Sequence, residues 1–144
     1  MRRSLLLYLF LLFVSCVQAQ VKNDAVETVA TDIESSENIF DSRAVDRKPE
    51  FYGGTQALQR YLAGSIRYPQ ISLKNGSQGR TIVRFIINAD GTVASPEVVR
   101  SSGDLNLDME ALRVVEAMPK WKPGRIGKKK VRVYFVMPVV FTLR

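Results

Sequence analysis

Pro119-Lys120-Trp121-Lys122-Pro123-Gly124 separates a helical period from the longest strand pattern in the chain. Before it, Leu107, Ala111, Val114, Val115 and Met118 recur at three-to-four-residue spacing, the apolar stripe of an amphipathic helix. Asp108 and Glu110 fall in that helix's first turn, where the helix dipole favours acids, and Pro119 stops it. After it, residues 131–143 are rich in the β-branched and aromatic side chains that suit a pleated, half-buried surface. Trp121, the only tryptophan, lies where a large ring covers the rim of a core. Its other use would be as a stacking platform for a sugar or peptide.

Working outward, Leu58, Tyr61, Leu62, Ser65 and Ile66 mark a first helix over residues 55–66, opened by Gly53-Gly54 and ended at Tyr68-Pro69. Residues 80–88 (RTIVRFIIN) read as a strand, and Asn88-Ala89-Asp90-Gly91 as a tight hairpin into a second strand at 92–101. Proline placement orders these strands. Pro96 interrupts the second and Pro138 the third, whereas the first has none, and a proline in a sheet belongs on an edge or at a bulge. The first strand is therefore central. The other two flank it antiparallel, and the second helix makes a right-handed crossover between them. The expected fold class is α+β, with two helices on one face of a three-stranded antiparallel sheet of order 2-1-3.

This order of elements resembles the C-terminal domain of the TonB family over residues 49–144. The resemblance rests on Phe51, Gly53, Gly54, Leu58, Tyr61, Leu62, Ile66, Tyr68-Pro69, Gly79, Asp90-Gly91, Ser101-Ser102-Gly103, Leu107-Asp108, Glu110-Ala111-Leu112-Arg113, Met118-Pro119, Trp121, Pro123-Gly124, Pro138 and Phe141. Tyr52 stands where family members often carry proline. The resemblance implies a noncatalytic protein that takes part in transport across the outer membrane by binding receptors there.

The N-terminus begins with Arg2 and Arg3, continues through an apolar run over residues 5–14, and leaves through Val17-Gln18-Ala19. This is the pattern of a secretory signal peptide over residues 1–19, cut between Ala19 and Gln20. Two other fates fit the same residues. Cys16, the only cysteine, could be lipidated after Phe13-Val14-Ser15, or the run could stay as a tilted membrane anchor. Residues 20–49 carry seven acids and four bases, net −3, with no sustained apolar period; they are expected to form an acidic flexible linker. The domain, residues 50–144, carries seven acids and fifteen bases, net +8. Exported to the periplasm, such a basic domain meets anionic lipids, cell-wall polymers and acidic receptor segments, and not nucleic acid.

Enzymatic chemistry finds few residues to use. There is no histidine, which removes the usual general base of hydrolytic triads and a common zinc ligand. The acids Asp90, Asp108 and Glu110 have structural tasks at a turn and a helix start. No cofactor and no metal are expected.

A backbone site remains. The third strand should pair with the central strand on one side and expose Val131, Arg132, Val133, Tyr134, Phe135, Val136 and Met137 on the other. Such an edge accepts an extended peptide by main-chain hydrogen bonds. A proline at Val133 or Phe135, taken as outward positions, would then abolish capture. An edge covered by residues 20–49 or by a twin subunit is the alternative. Arg125, Lys128, Lys129 and Lys130 form the densest basic cluster, either a solvated turn blunting a strand end or an electrostatic contact. Resemblance supplies the partner, an extended segment of an outer-membrane TonB-dependent receptor. With a retained anchor, it also implies an energy transducer engaging ExbB and ExbD. A lipidated Cys16 would instead suit a reading of a different class, an adaptor or cell-wall binder that uses the basic loop.

Overall fold

The computed structural model describes residues 38–144. The expectations for Cys16, for the Ala19–Gln20 cut and for the linker up to residue 37 lie outside the described residues. The elements in chain order are β1 (Ile39–Asp41), α1 (Gly54–Ser65), α2 (Gln70–Lys74), β2 (Gly79–Ile87), β3 (Val93–Arg100), α3 (Leu105–Glu116), β4 (Gly124–Ile126) and β5 (Lys129–Phe141).

Strand β2 is central, antiparallel to both β3 and β5, so the 2-1-3 order read from the prolines holds for the three long strands. Two short strands enlarge the expected sheet. β1 lies parallel to β5 at its outer side, giving the path β1-β5-β2-β3, and β4 folds back on the start of β5. Residues 38–49 are therefore not linker. Ile39 and Phe40 supply an apolar, β-favouring pair that half-buries against the sheet, and Asp41 ends it by accepting the Arg43 amide at 2.8 Å. Arg47 and Glu50 continue the attachment with bridges to Arg125 and Lys122.

The core forms where the inward residues of β2 and β5 meet the helices. Val83, Phe85, Ile87, Met137, Val139 and Phe141 pack with Leu107, Ala111, Val115 and Met118 of the α3 region, and Leu58, Tyr61 and Leu62 of α1 lean on the same cluster. The Tyr61 hydroxyl also donates to the Val114 carbonyl at 3.1 Å, tying α1 to α3. Trp121 is 2% exposed, 5.3 Å from the Phe51 ring and 5.0 Å from the Phe135 ring. It seals the core and is not an exposed platform.

Its placement depends on Gly91. The β2–β3 hairpin closes with the Gly91 amide donating to the Asn88 carbonyl at 2.9 Å, and the Trp121 amide donates to the Gly91 carbonyl at 2.8 Å. Gly91 has φ +87°, and a Cβ there would run into the Trp121 carbonyl oxygen. Only glycine meets both demands.

Candidate functional site

The β2–β5 ladder runs in unbroken register from Gly79 opposite Phe141 to Ile87 opposite Val133. On the other side of β5, β1 occupies Arg132, Val133 and Tyr134, and the β4 hairpin pairs with Lys129, Lys130 and Val131 at the start of the strand. From Phe135 to Phe141 no strand among the described residues lies on that outer side. The edge expected to be free from Val131 onward is thus already flanked over Arg132, Val133 and Tyr134, because Ile39–Asp41 supply a strand of their own. Phe135, Val136 and Met137 remain open, together with residues 138–141.

Side chains along β5 alternate. Val131, Val133, Met137, Val139 and Phe141 are buried, whereas Val136 and Val140 are 54% and 52% exposed on the face turned from the helices. Phe135 is half-buried against Phe85, 5.6 Å between ring centroids.

Backbone direction follows from Pro138. It stands opposite Ile82 in the middle of the ladder, and a proline fits there when its nitrogen faces away from the partner strand. Amide direction alternates along a strand, so Tyr134, Val136 and Val140 also point outward, while Val133 and Phe135 point to β2. The two positions expected to pair outward are inward ones; the sequence pattern carried the period but not its phase.

Arg125, Lys128, Lys129 and Lys130 come together as the β4–β5 hairpin, with Arg125 opposite Lys130. Its tip is held by the Gly127 amide, which donates to Asp46 Oδ2 at 2.6 Å. Arg47 brackets β4 from the other side through backbone bonds of 2.9 and 3.0 Å with Arg125. The hairpin is a solvated basic turn at the start of β5, before the open edge begins.

The acids have structural tasks. Asp90 Oδ1 accepts from the Thr92 amide at 3.0 Å, and Glu110 holds Arg113 and the Arg67 amide. Asp104 is the α3 N-cap, accepting from the Asn106 amide at 2.8 Å and from Ser72 Oγ at 2.7 Å. Asp108 is 6% exposed. Its carboxylate accepts from Thr81 Oγ1 at 2.7 Å, the Ser102 amide at 2.9 Å, Ser102 Oγ at 2.8 Å and Ser101 Oγ. Burial pushes this carboxyl upward, but the hydrogen bonds from Ser101, Ser102 and Thr81 outweigh it and hold it below the ordinary value. Among the described residues, no group of three acids, histidines or cysteines is arranged to hold a metal.

Residues 65–143 match the family of Gram-negative bacterial TonB protein C-terminal domains. The chain is similar to Protein TonB of Pseudomonas putida, 33% identical over 87 residues that make up 58% of this chain and 35% of that protein. It is also similar to Protein TonB of Helicobacter pylori strain 26695, 29% identical over 60% of this chain and 29% of that protein. The chain thus matches about a third of the length of these relatives. Against the NMR solution structure of the H. pylori TonB C-terminal domain the TM-score is 0.49 at 27% identity, covering 62% of this chain and 79% of that one. The match to the family covers more than half of the residues, and the chain belongs to the noncatalytic family of TonB C-terminal domains.

Proposed function

We propose that this chain is a periplasmic protein-binding module of TonB-dependent outer-membrane transport. It captures an extended receptor segment on the outer edge of β5 by strand addition. The observation that carries the reading is the open stretch from Phe135 to Phe141, which has a central strand on one side and no strand of the described residues on the other. Its outward amides at Val136 and Val140 are donors for an added strand, and the outward carbonyls, including that of Pro138, are acceptors. Val136 and Val140 offer the added strand an apolar surface on the same side. β1 marks where the site begins, since Asp41 turns away after Tyr134.

The test uses synthetic peptides copied from the periplasm-facing segments of the cell's own outer-membrane receptors. Val136→Pro removes one outward donor while sparing the β2 ladder, so the protein should fold by circular dichroism and lose capture by tenfold or more, roughly the worth of one backbone hydrogen bond. Val133→Pro breaks the ladder itself and should unfold the sheet. A folded Val136→Pro protein that still binds these peptides at full affinity would remove the edge mechanism.

A further inference from the structure

The sheet face turned away from the helices carries an arginine pair that receptor docking on β5 does not use. Thr81, Val83 and Phe85 point into the core, so their alternates Arg80, Ile82 and Arg84 lie on the opposite face. Arg100 of β3 stands across from Ile82 and joins them. Two arginines on this face are engaged: Arg84 pairs with Glu97 and lies 5.3 Å from the Tyr134 ring centroid, and Arg132 Nε donates to Asn88 Oδ1 at 3.1 Å. Arg80 and Arg100 have no ion-pair, hydrogen-bond or ring partner for their guanidinium groups among the described residues. They line a cleft of about 290 Å³ whose other walls are Ser101 and Ser102.

The far side of that cleft is rigid. Ser101 and Ser102 are pinned to Asp108, whose carboxylate is satisfied by Thr81, both serine hydroxyls and the Ser102 amide and draws on neither arginine. Two neighbouring guanidinium groups without an acid between them repel each other and add nothing to the fold.

We propose that the Arg80–Arg100 cleft binds a phosphoryl oxyanion, a phosphate monoester group. Each guanidinium offers a planar fork that matches phosphate oxygens, and forks from two strands reach a tetrahedral group from two sides. Two positive charges also balance the roughly −1.5 to −2 of a phosphate monoester, whereas one carboxylate would leave a charge uncompensated. A soluble phosphate ester and the headgroup of an envelope lipid present the same chemistry.

The experiment is an NMR titration of the chain with inorganic phosphate at constant ionic strength, with chloride and acetate as competing anions. Saturable shifts of the Arg80 and Arg100 Nε–H groups and the Ser101 and Ser102 amides are expected with phosphate. They should weaken roughly tenfold or more in Arg80→Gln/Arg100→Gln and persist in Lys128→Gln/Lys130→Gln. Both arginines are exposed, so the double variant should keep its dispersed spectrum. Arg80→Lys/Arg100→Lys, which keeps the charge and loses the fork, should fall between. Co-sedimentation with phosphatidic acid vesicles, but not phosphatidylcholine vesicles, lost in the glutamine pair, would assign the lipid source; phosphate binding without vesicle binding would assign the soluble one. Shifts equal to those with chloride or acetate, or unchanged in the glutamine pair, would overturn the proposal. So would a glutamate-bearing peptide that occupies the cleft when phosphate does not.

Discussion

Asp104 and Asp108 stand one helical turn apart and stabilise α3 in different ways. Asp108 is locked under the β2–β3 end by residues distant in sequence, whereas Asp104 caps the helix and reaches Ser72 of α2. The hydrogen bond from Ser72 leads the causes that lower the Asp104 carboxyl from 3.8 to about 2. The sign of the resulting linkage follows from that depression. The folded protein holds the proton less tightly than the unfolded chain, so the stabilisation is fully present above pH 4 and disappears as pH falls through about 2. Asp104→Asn can still cap the helix but cannot ionise. Its urea midpoint should therefore lie below that of the unmodified protein at pH 5, and the gap should close between pH 4 and pH 2. A gap that stays constant across this range would mean that geometry, not charge, carries the Asp104 contribution.

At the scale of elements, the chain's local signals and its long-range contacts divide what could be read. The 3.6 period of Leu107, Ala111, Val114 and Val115, the Asp90-Gly91 turn and the position of Pro138 are local, and they yielded both main helices, the hairpin and the order of the long strands. β1 was not legible because three residues set no period, although Ile39-Phe40 followed by Asp41-Ser42 is an apolar pair running into turn formers. Asp108 was read as a dipole residue for a similar reason: Thr81 is 27 positions away, and nothing local announces the pairing. The open edge was legible as a strand pattern, but its extent was not, since that depends on where β1 stops. Shortening the chain tests the role of β1. A protein beginning at Asn38 should unfold with the stability of the longer chain. One beginning at Glu50 loses the partial burial of Ile39 and Phe40 and the Arg47 bridge to Arg125. It should remain cooperative and lose on the order of 2 kcal/mol, about the worth of burying one large apolar side chain. Equal stability of the two would show that β1 adds no net stabilisation.

For the whole molecule, charge and the binding edge are separated in space, and that separation decides what the basic hairpin does. Residues 50–144 carry net +8, with Lys128, Lys129 and Lys130 at the start of β5. The open edge begins at Phe135. Phe135 lies five residue steps along the strand from Lys130, roughly 17 Å at about 3.3 Å per residue. At physiological salt the Debye length is about 8 Å, so the hairpin is largely screened from a segment bound at the edge; at 0.01 M salt it is about 30 Å, and the hairpin acts on an approaching partner. The cluster should therefore change the encounter and leave the bound complex alone. In stopped-flow measurements with an acidic receptor peptide, the association rate of the unmodified protein should fall as sodium chloride rises. The triple change Lys128→Ala, Lys129→Ala and Lys130→Ala should flatten that dependence, with the two curves meeting near physiological salt and the dissociation rate unchanged. A faster dissociation in the variant would place the peptide on the hairpin itself, because only a charge within contact distance of the bound partner alters the lifetime of the complex at that ionic strength.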